Sequence, residues 1–189
     1  MRTRAASARR GFVGLLVAGM VAVSCSSGTT GSSPTSSGPT LQGYFDQLKK
    51  ISEDADRQFR ALQDDLNASL ASAQSDDEAL PILKDFLEKN LAQGERLVAG
   101  LEALDPPAEV EIAHNELIDA EKSIVNKTAV ILAEYDGFTS LAQVHQRIQQ
   151  GDLAQAGKRV DDACAAVQKV GDDNDINVDL SCGPDQPAA

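Results

Sequence analysis

From Leu41 onward the apolar residues of the chain recur in steps of three and four. Leu41, Tyr44, Phe45, Leu48, Ile51, Ala55, Phe59, Leu62 and Leu66 are separated by charges such as Lys49, Glu53, Asp54 and Asp64. That period puts one apolar stripe on a helix over about 41–73. A second run holds Leu80, Leu83, Leu87, Leu91, Leu97, Val98, Leu101 and Leu104, with Ser75 and Glu78 at capping-box spacing ahead of it. Pro81 falls inside this run, and a proline beyond the first turn removes a backbone bond and clashes with the turn before it. The helix is therefore expected either to kink at Pro81 or to start later, and to end near Leu104. Asp105-Pro106-Pro107 is expected to close it and open a third, with Asp105 as cap and Pro106 in the first helical position. Val110, Ala113, Leu117, Ile118, Ile124, Val125, Ile131, Leu132 and Tyr135 form the third stripe, which Gly137 should end. Thr139 or Ser140 can cap a short helix through Gln150, Gly151 stops it, and Leu153, Ala156, Val160, Cys164, Val167 and Val170 give the last stripe.

Beyond Gly171 the period drops to two, with Ile176, Val178 and Leu180 separated by Asn177 and Asp179. One extended segment cannot make a sheet, so it reads as a strap laid over helices. The expected fold is all-α, an antiparallel four-helix-type bundle with one extra short helix and a disulfide-clamped extended C-terminal strap. The clamp would be Cys164–Cys182, the two thiols left to pair in an oxidising compartment once Cys25 is committed elsewhere. The alternative is a buried free thiol at Cys164 and an exposed one at Cys182.

The N-terminus changes the picture from fold to address. Residues 1–10 are basic, Gly11 to Ser24 is an uncharged run of 14 residues, and small residues precede Cys25, which is the pattern of a secretory signal. Fourteen residues are too few to span a bilayer, which needs about 20. Ala22-Val23-Ser24-Cys25 resembles the lipobox of bacterial lipoproteins, in which the Cys is diacylated and begins the mature chain; Ala22 stands where Leu is usual. Arg9-Arg10-Gly11-Phe12-Val13 also fits a twin-arginine signal, so the export route stays open. Ser26 to Thr40 contains only Ser, Thr, Gly and Pro, a composition with nothing to bury. The expected organisation is a signal peptide at 1–24, a lipidated Cys and disordered tether at 25–40, a helical domain at 41–183 and a disordered tail at 184–189.

A wider resemblance rests on Leu80-Pro81-Ile82-Leu83, on Leu104-Asp105-Pro106-Pro107-Ala108-Glu109 with His114 following, and on Cys164-Ala165-Ala166-Val167 leading to the segment 174–182. These segments resemble a group of uncharacterised bacterial envelope lipoproteins with helical mature domains. The resemblance implies an envelope location and a helical fold, and it brings no activity.

Charge narrows the partners. From Cys25 onward the chain carries 13 basic and 29 acidic side chains, and with no Trp it has few stacking aromatics. Phosphate backbones are gripped by Lys and Arg clusters, so nucleic acid is not an expected partner. An anionic membrane surface should repel the acidic domain, leaving acylated Cys25 as the expected membrane contact.

Candidate chemistry is sparse. Glu111-x-x-His114 has the carboxylate–imidazole spacing of bundle di-iron sites, but the other histidine, His145, has Ala142 three residues before it and so no second half. On a helical wheel His114 and Glu121 share the apolar stripe, where hydrogen-bonded burial is the ordinary role. Asp173, Asp175, Asn177 and Asp179 alternate like the first ligands of an EF-hand loop, yet Val178 stands where the loop needs Gly and Pro184 where it needs Glu. Glu111, His114, Glu121, Asp173, Asp175 and Asn177 are thus metal candidates by pattern, with no metal or cofactor expected. No Gly-x-Ser-x-Gly turn or glycine-rich phosphate loop occurs, and no enzyme is expected. The sequence predicts a membrane-anchored, extracytoplasmic, non-catalytic module that binds another envelope protein. The alternative is a solute- or metal-binding lipoprotein holding its ligand between helices near His114, Glu121 and Tyr135.

Overall fold

A computed structural model of the protein describes residues 39–180 and residue 182. The expected signal peptide at 1–24, Cys25, nearly all of the expected tether and the expected tail at 184–189 lie outside the described residues. Among the described residues the fold is all-helical, with five α-helices, one 3-10 turn and no strand.

Helix α1 spans Leu41–Ser72 and begins at Thr40, the last residue of the expected tether, whose hydroxyl accepts from the Gly43 N–H. Helix α2 spans Asp76–Glu102. Its start is the expected capping box in a shifted form: the Ser75 hydroxyl accepts from Glu78 N–H, while the Glu78 carboxylate reaches past the cap to Gln74 N–H at 2.7 Å. Three carboxylates in its first turn, Asp76, Asp77 and Glu78, sit at the positive end of the helix dipole. The helix runs through Pro81 and does not start after it. Pro81 is exposed in the second turn, where the bond it cannot make is the one to the carbonyl of Asp77, itself an exposed residue that water can serve.

Helix α3 spans Glu111–Ala133, so the expectation that Asp105 and Pro106 open it is wrong. Pro107 disfavours helical backbone at the residue before it, so Pro106 cannot be a first helical residue. The chain instead turns at 108–110, with the Val110 N–H on the Pro107 carbonyl, and the fully buried Val110 sets the start of α3. Nor does Gly137 end the α-helix, which stops at Ala133 before a 3-10 turn over Tyr135–Gly137. Ser140 caps α4, Leu141–Gln150, and Gly151 ends it as expected. Helix α5 spans Leu153–Asp173, carrying Gly171 inside it and ending two residues beyond it. Gly171 is buried, and a Cβ there would lie 3.2 Å from the Phe45 ring, so its absence permits that contact.

Helix α1 packs on α2, α2 on α3, and α3 on α5, while α4 touches α2 and α5 lightly. The apolar interior is sorted into two clusters. One gathers Tyr44, Phe45 and Leu48 of α1, Leu101 of α2, Leu117 and Ile118 of α3, Val160, Cys164 and Val167 of α5, and Val178 and Leu180. The other gathers Leu66 of α1, Leu83, Phe86 and Leu87 of α2, Ile131 of α3, Tyr135 and Val144. The polar residues Asp56, Gln93 and Thr128 are also buried, on α1, α2 and α3, and belong to neither cluster.

Cys164 and Cys182 are joined by a disulfide with their Cα atoms 5.4 Å apart. The residues between turn back at Asn174 and Asp175 and continue without regular structure over 176–180.

Candidate functional site

Helix α3 carries the polar side chains of interest because its inner stripe is not purely apolar. His114 lies in its first turns and is 2% exposed. Its Nδ1 is 3.0 Å from the hydroxyl of Tyr44, which comes from the first turn of α1 and is buried beside Phe45. The ring also makes a hydrogen bond to the Leu101 backbone at the C-terminal end of α2. A carbonyl only accepts, so the imidazole donates to Leu101 from Nε2 and its Nδ1 accepts the Tyr44 proton. Desolvation lowers the imidazole pKa below its ordinary 6.5, the Leu101 bond opposing, and burial pushes the Tyr44 phenol up. The result is a neutral imidazole with both nitrogens occupied, joining α1, α2 and α3.

Outside this triad lies an open cleft of about 580 Å³, lined by Glu102, Pro106, Glu111, His114, Asp119 and Lys122 among others. Lys122 closes one side by pairing with Glu102 at 2.6 Å. Glu111 and His114 thus share a cleft, but Glu111 is an exposed rim residue and both ring nitrogens of His114 are already engaged within the fold.

Glu121 lies seven residues further along α3, about 10 Å up the helix axis. It is half-buried, and desolvation first, then the Asp161 carboxylate on α5, raise it from 4.5 to about 7. Asp161 is itself raised, by desolvation and by Asp162, with Lys158 opposing. Tyr135 is in the other cluster, donating to the Leu80 carbonyl at 2.9 Å, with burial raising its phenol to about 12. The expected convergence of His114, Glu121 and Tyr135 therefore does not occur, because Glu121 is two turns from His114 along α3 and Tyr135 lies past the far end of that helix.

The alternating carboxylates do not converge either. Asp173 is the last residue of α5 and pairs with Lys169, while Asp175 takes a left-handed backbone with φ 55° that ends the turn. Among the described residues no group of three or more His, Cys, Asp or Glu side chains is placed to hold a metal ion. His145, half-buried on α4, has its Nε2 2.7 Å from the Gln149 amide.

Sequence reasoning missed two residues. Tyr44 reads as an apolar stripe position, although a buried phenol needs a partner and His114 is the available imidazole in a stripe. Gln168 lies outside the apolar stripe of α5, yet its amide donates to the Val178 carbonyl at 2.7 Å and accepts from the Leu180 N–H at 2.8 Å. Its position four residues after Cys164 was the available signal, since i and i+4 share a helix face.

Compared with known proteins, the chain matches no family, no curated protein and no solved structure. Among the described residues no helix is long and apolar enough to cross a membrane.

Proposed function

We propose that the protein is an extracytoplasmic lipoprotein, held at the membrane by acylated Cys25 and a Ser/Thr/Gly/Pro tether, whose helical domain is a non-catalytic module for binding another envelope protein. The domain is an antiparallel four-helix-type bundle of α1, α2, α3 and α5, with α4 as the extra short helix and 176–180 as a strap closed by Cys164–Cys182. Supporting the topology, one apolar cluster holds the N-terminal parts of α1 and α3 with the C-terminal part of α2, and the other holds the opposite ends. Supporting the strap, Val178 and Leu180 are 8% and 4% exposed.

The observation that carries the non-catalytic reading is the state of His114. The imidazole that the sequence offers to a metal, a ligand or a nucleophile has both ring nitrogens bonded within the fold. Its work is to join helices, and an acidic exterior is left to meet a partner. Anchoring is tested by Cys25→Ala. Two acyl chains hold a protein stably where one does so marginally. The variant should lose the acyl mass from its N-terminal peptide and move from the membrane to the soluble fraction. Unchanged fractionation would reject the anchor.

A further inference from the structure

The segment 176–180 is held in a way that a merely packed tail would not need. Gln168 presents its amide side-on and makes both hydrogen bonds that a neighbouring β-strand would make to one residue pair, donating to Val178 C=O and accepting from Leu180 N–H. These bonds read backbone, and so tolerate any side chain except proline at the position of Leu180. Selectivity comes from the side chains that alternate with it: Val178 and Leu180 enter the cluster with Tyr44, Phe45 and Val167, while Asp179 between them is exposed. Gly171 makes the floor, since a Cβ there would meet Phe45 at 3.2 Å and Val178 at 3.4 Å. The features are those of peptide capture by strand addition, with one glutamine standing in for the sheet edge.

Two further features govern occupancy. The segment joins α5 through Asp175, whose φ of 55° is a conformation that side-chain-bearing residues rarely adopt. At its other end it is fixed by Cys182, which is half-buried, whereas the partner Cys164 is 3% exposed. A dithiol reductant therefore reaches Cys182 first. Its thiolate attacks the Cys182 sulfur and breaks the S–S bond, and Cys164 leaves as a thiolate and takes up a proton. The second thiol of the reductant then closes its own disulfide and releases Cys182 as a thiol. Two electrons pass to the protein, the dithiol is oxidised, and the segment is left with non-covalent contacts alone.

We propose that the groove between α1 and α5, headed by Gln168, is a binding site for an extended peptide with aliphatic side chains at alternate positions, filled here by the chain's own residues 176–180 and opened when Cys164–Cys182 is reduced. The groove's chemistry does not depend on whether Cys25 is acylated, so failure of either proposal leaves the other standing.

The test uses the full chain carrying Cys182→Ser and a synthetic nonapeptide with the sequence of residues 174–182, its cysteine activated as a mixed disulfide with thionitrobenzoate. Capture of the peptide at Cys164 is followed by peptide mass spectrometry. Two aliphatic contacts should make capture at least about tenfold faster than for a scrambled peptide, and Gln168→Ala, which removes both backbone bonds, should slow capture of the native peptide several-fold. Oxidised wild type should capture neither. Equal rates for native and scrambled peptides on a protein that keeps its helical circular dichroism would overturn the proposal, as would capture of the native peptide at an unchanged rate after Gln168→Ala. Hydrogen exchange of the wild-type chain is a second measurement that needs no variant. The Leu180 amide, protected through Gln168 when oxidised, should lose protection on reduction, and continued protection would show that the segment does not open.

Discussion

His114 and Glu121 occupy one inner stripe of α3, two turns apart, and have opposite fates. The imidazole finds a donor in Tyr44 and an acceptor in Leu101, and it stays neutral inside the fold. The carboxyl faces desolvation and another carboxylate, Asp161, and it holds a proton up to about pH 7. A buried polar group stabilises only where every partner is supplied. The first site is therefore a joint between three helices, and the second is a point where the helix interface gives up stability.

The largest effect should come from breaking the joint. His114→Ala leaves the Tyr44 hydroxyl and the Leu101 carbonyl facing a cavity, and should lower the free energy of unfolding by about 3–4 kcal/mol in urea titration. Tyr44→Phe removes one bond at constant shape and should lose about 1–2 kcal/mol, with the double variant clearly less than additive. Additive losses would mean that the two side chains act separately. Because the folded imidazole takes a proton less readily than the unfolded one, its contribution is whole above pH 6.5 and declines as pH falls below that value.

Reducing Cys164–Cys182, which closes an 18-residue separation, should remove about 3 kcal/mol at the same end of the molecule. A loss under about 1 kcal/mol would mean that 176–180 is held without it.

Glu121→Gln should do the reverse of His114→Ala and stabilise the protein. The folded chain binds this proton more tightly than the unfolded chain, so wild-type stability falls as pH rises from 4.5 to about 7 and is flat above. At pH 8 the variant should gain about 1–2 kcal/mol, allowing for the partial exposure of the site, and near pH 4 it should gain nothing. A gain independent of pH would place its origin in packing. Smallest of all, Lys158→Ala removes an exposed pair with Asp162 and should leave the urea midpoint unchanged.

The same contrast explains what could be read in the sequence. Leu41 to Leu66, and Leu153 to Val170, are long stripes of uniform period, and their helices lie where the periodicity puts them. Ser75 and Ser140 cap because their signals are local. The start of α3 was hidden because Pro107 governs Pro106 and the burial of Val110 is a tertiary fact. The role of Gly171 is not legible in the sequence because the Phe45 ring it admits lies 126 residues away. At the site, the helical wheel put His114 and Glu121 inside, but their partners Tyr44, Leu101 and Asp161 come from three other helices. No spacing within α3 encodes them. Tyr135 was misassigned for the same reason, since sharing a stripe says nothing of which end of a long helix a side chain serves.

The central claim is that an anchored, acidic helical domain meets a protein partner in the envelope. In-cell chemical crosslinking of the wild-type chain, followed by affinity purification and mass spectrometry beside the Cys25→Ala form, tests it most directly. One envelope protein enriched with the wild type and lost with Cys25→Ala is the predicted result. Recovery of no envelope protein, or of the same one from both forms, would contradict the account.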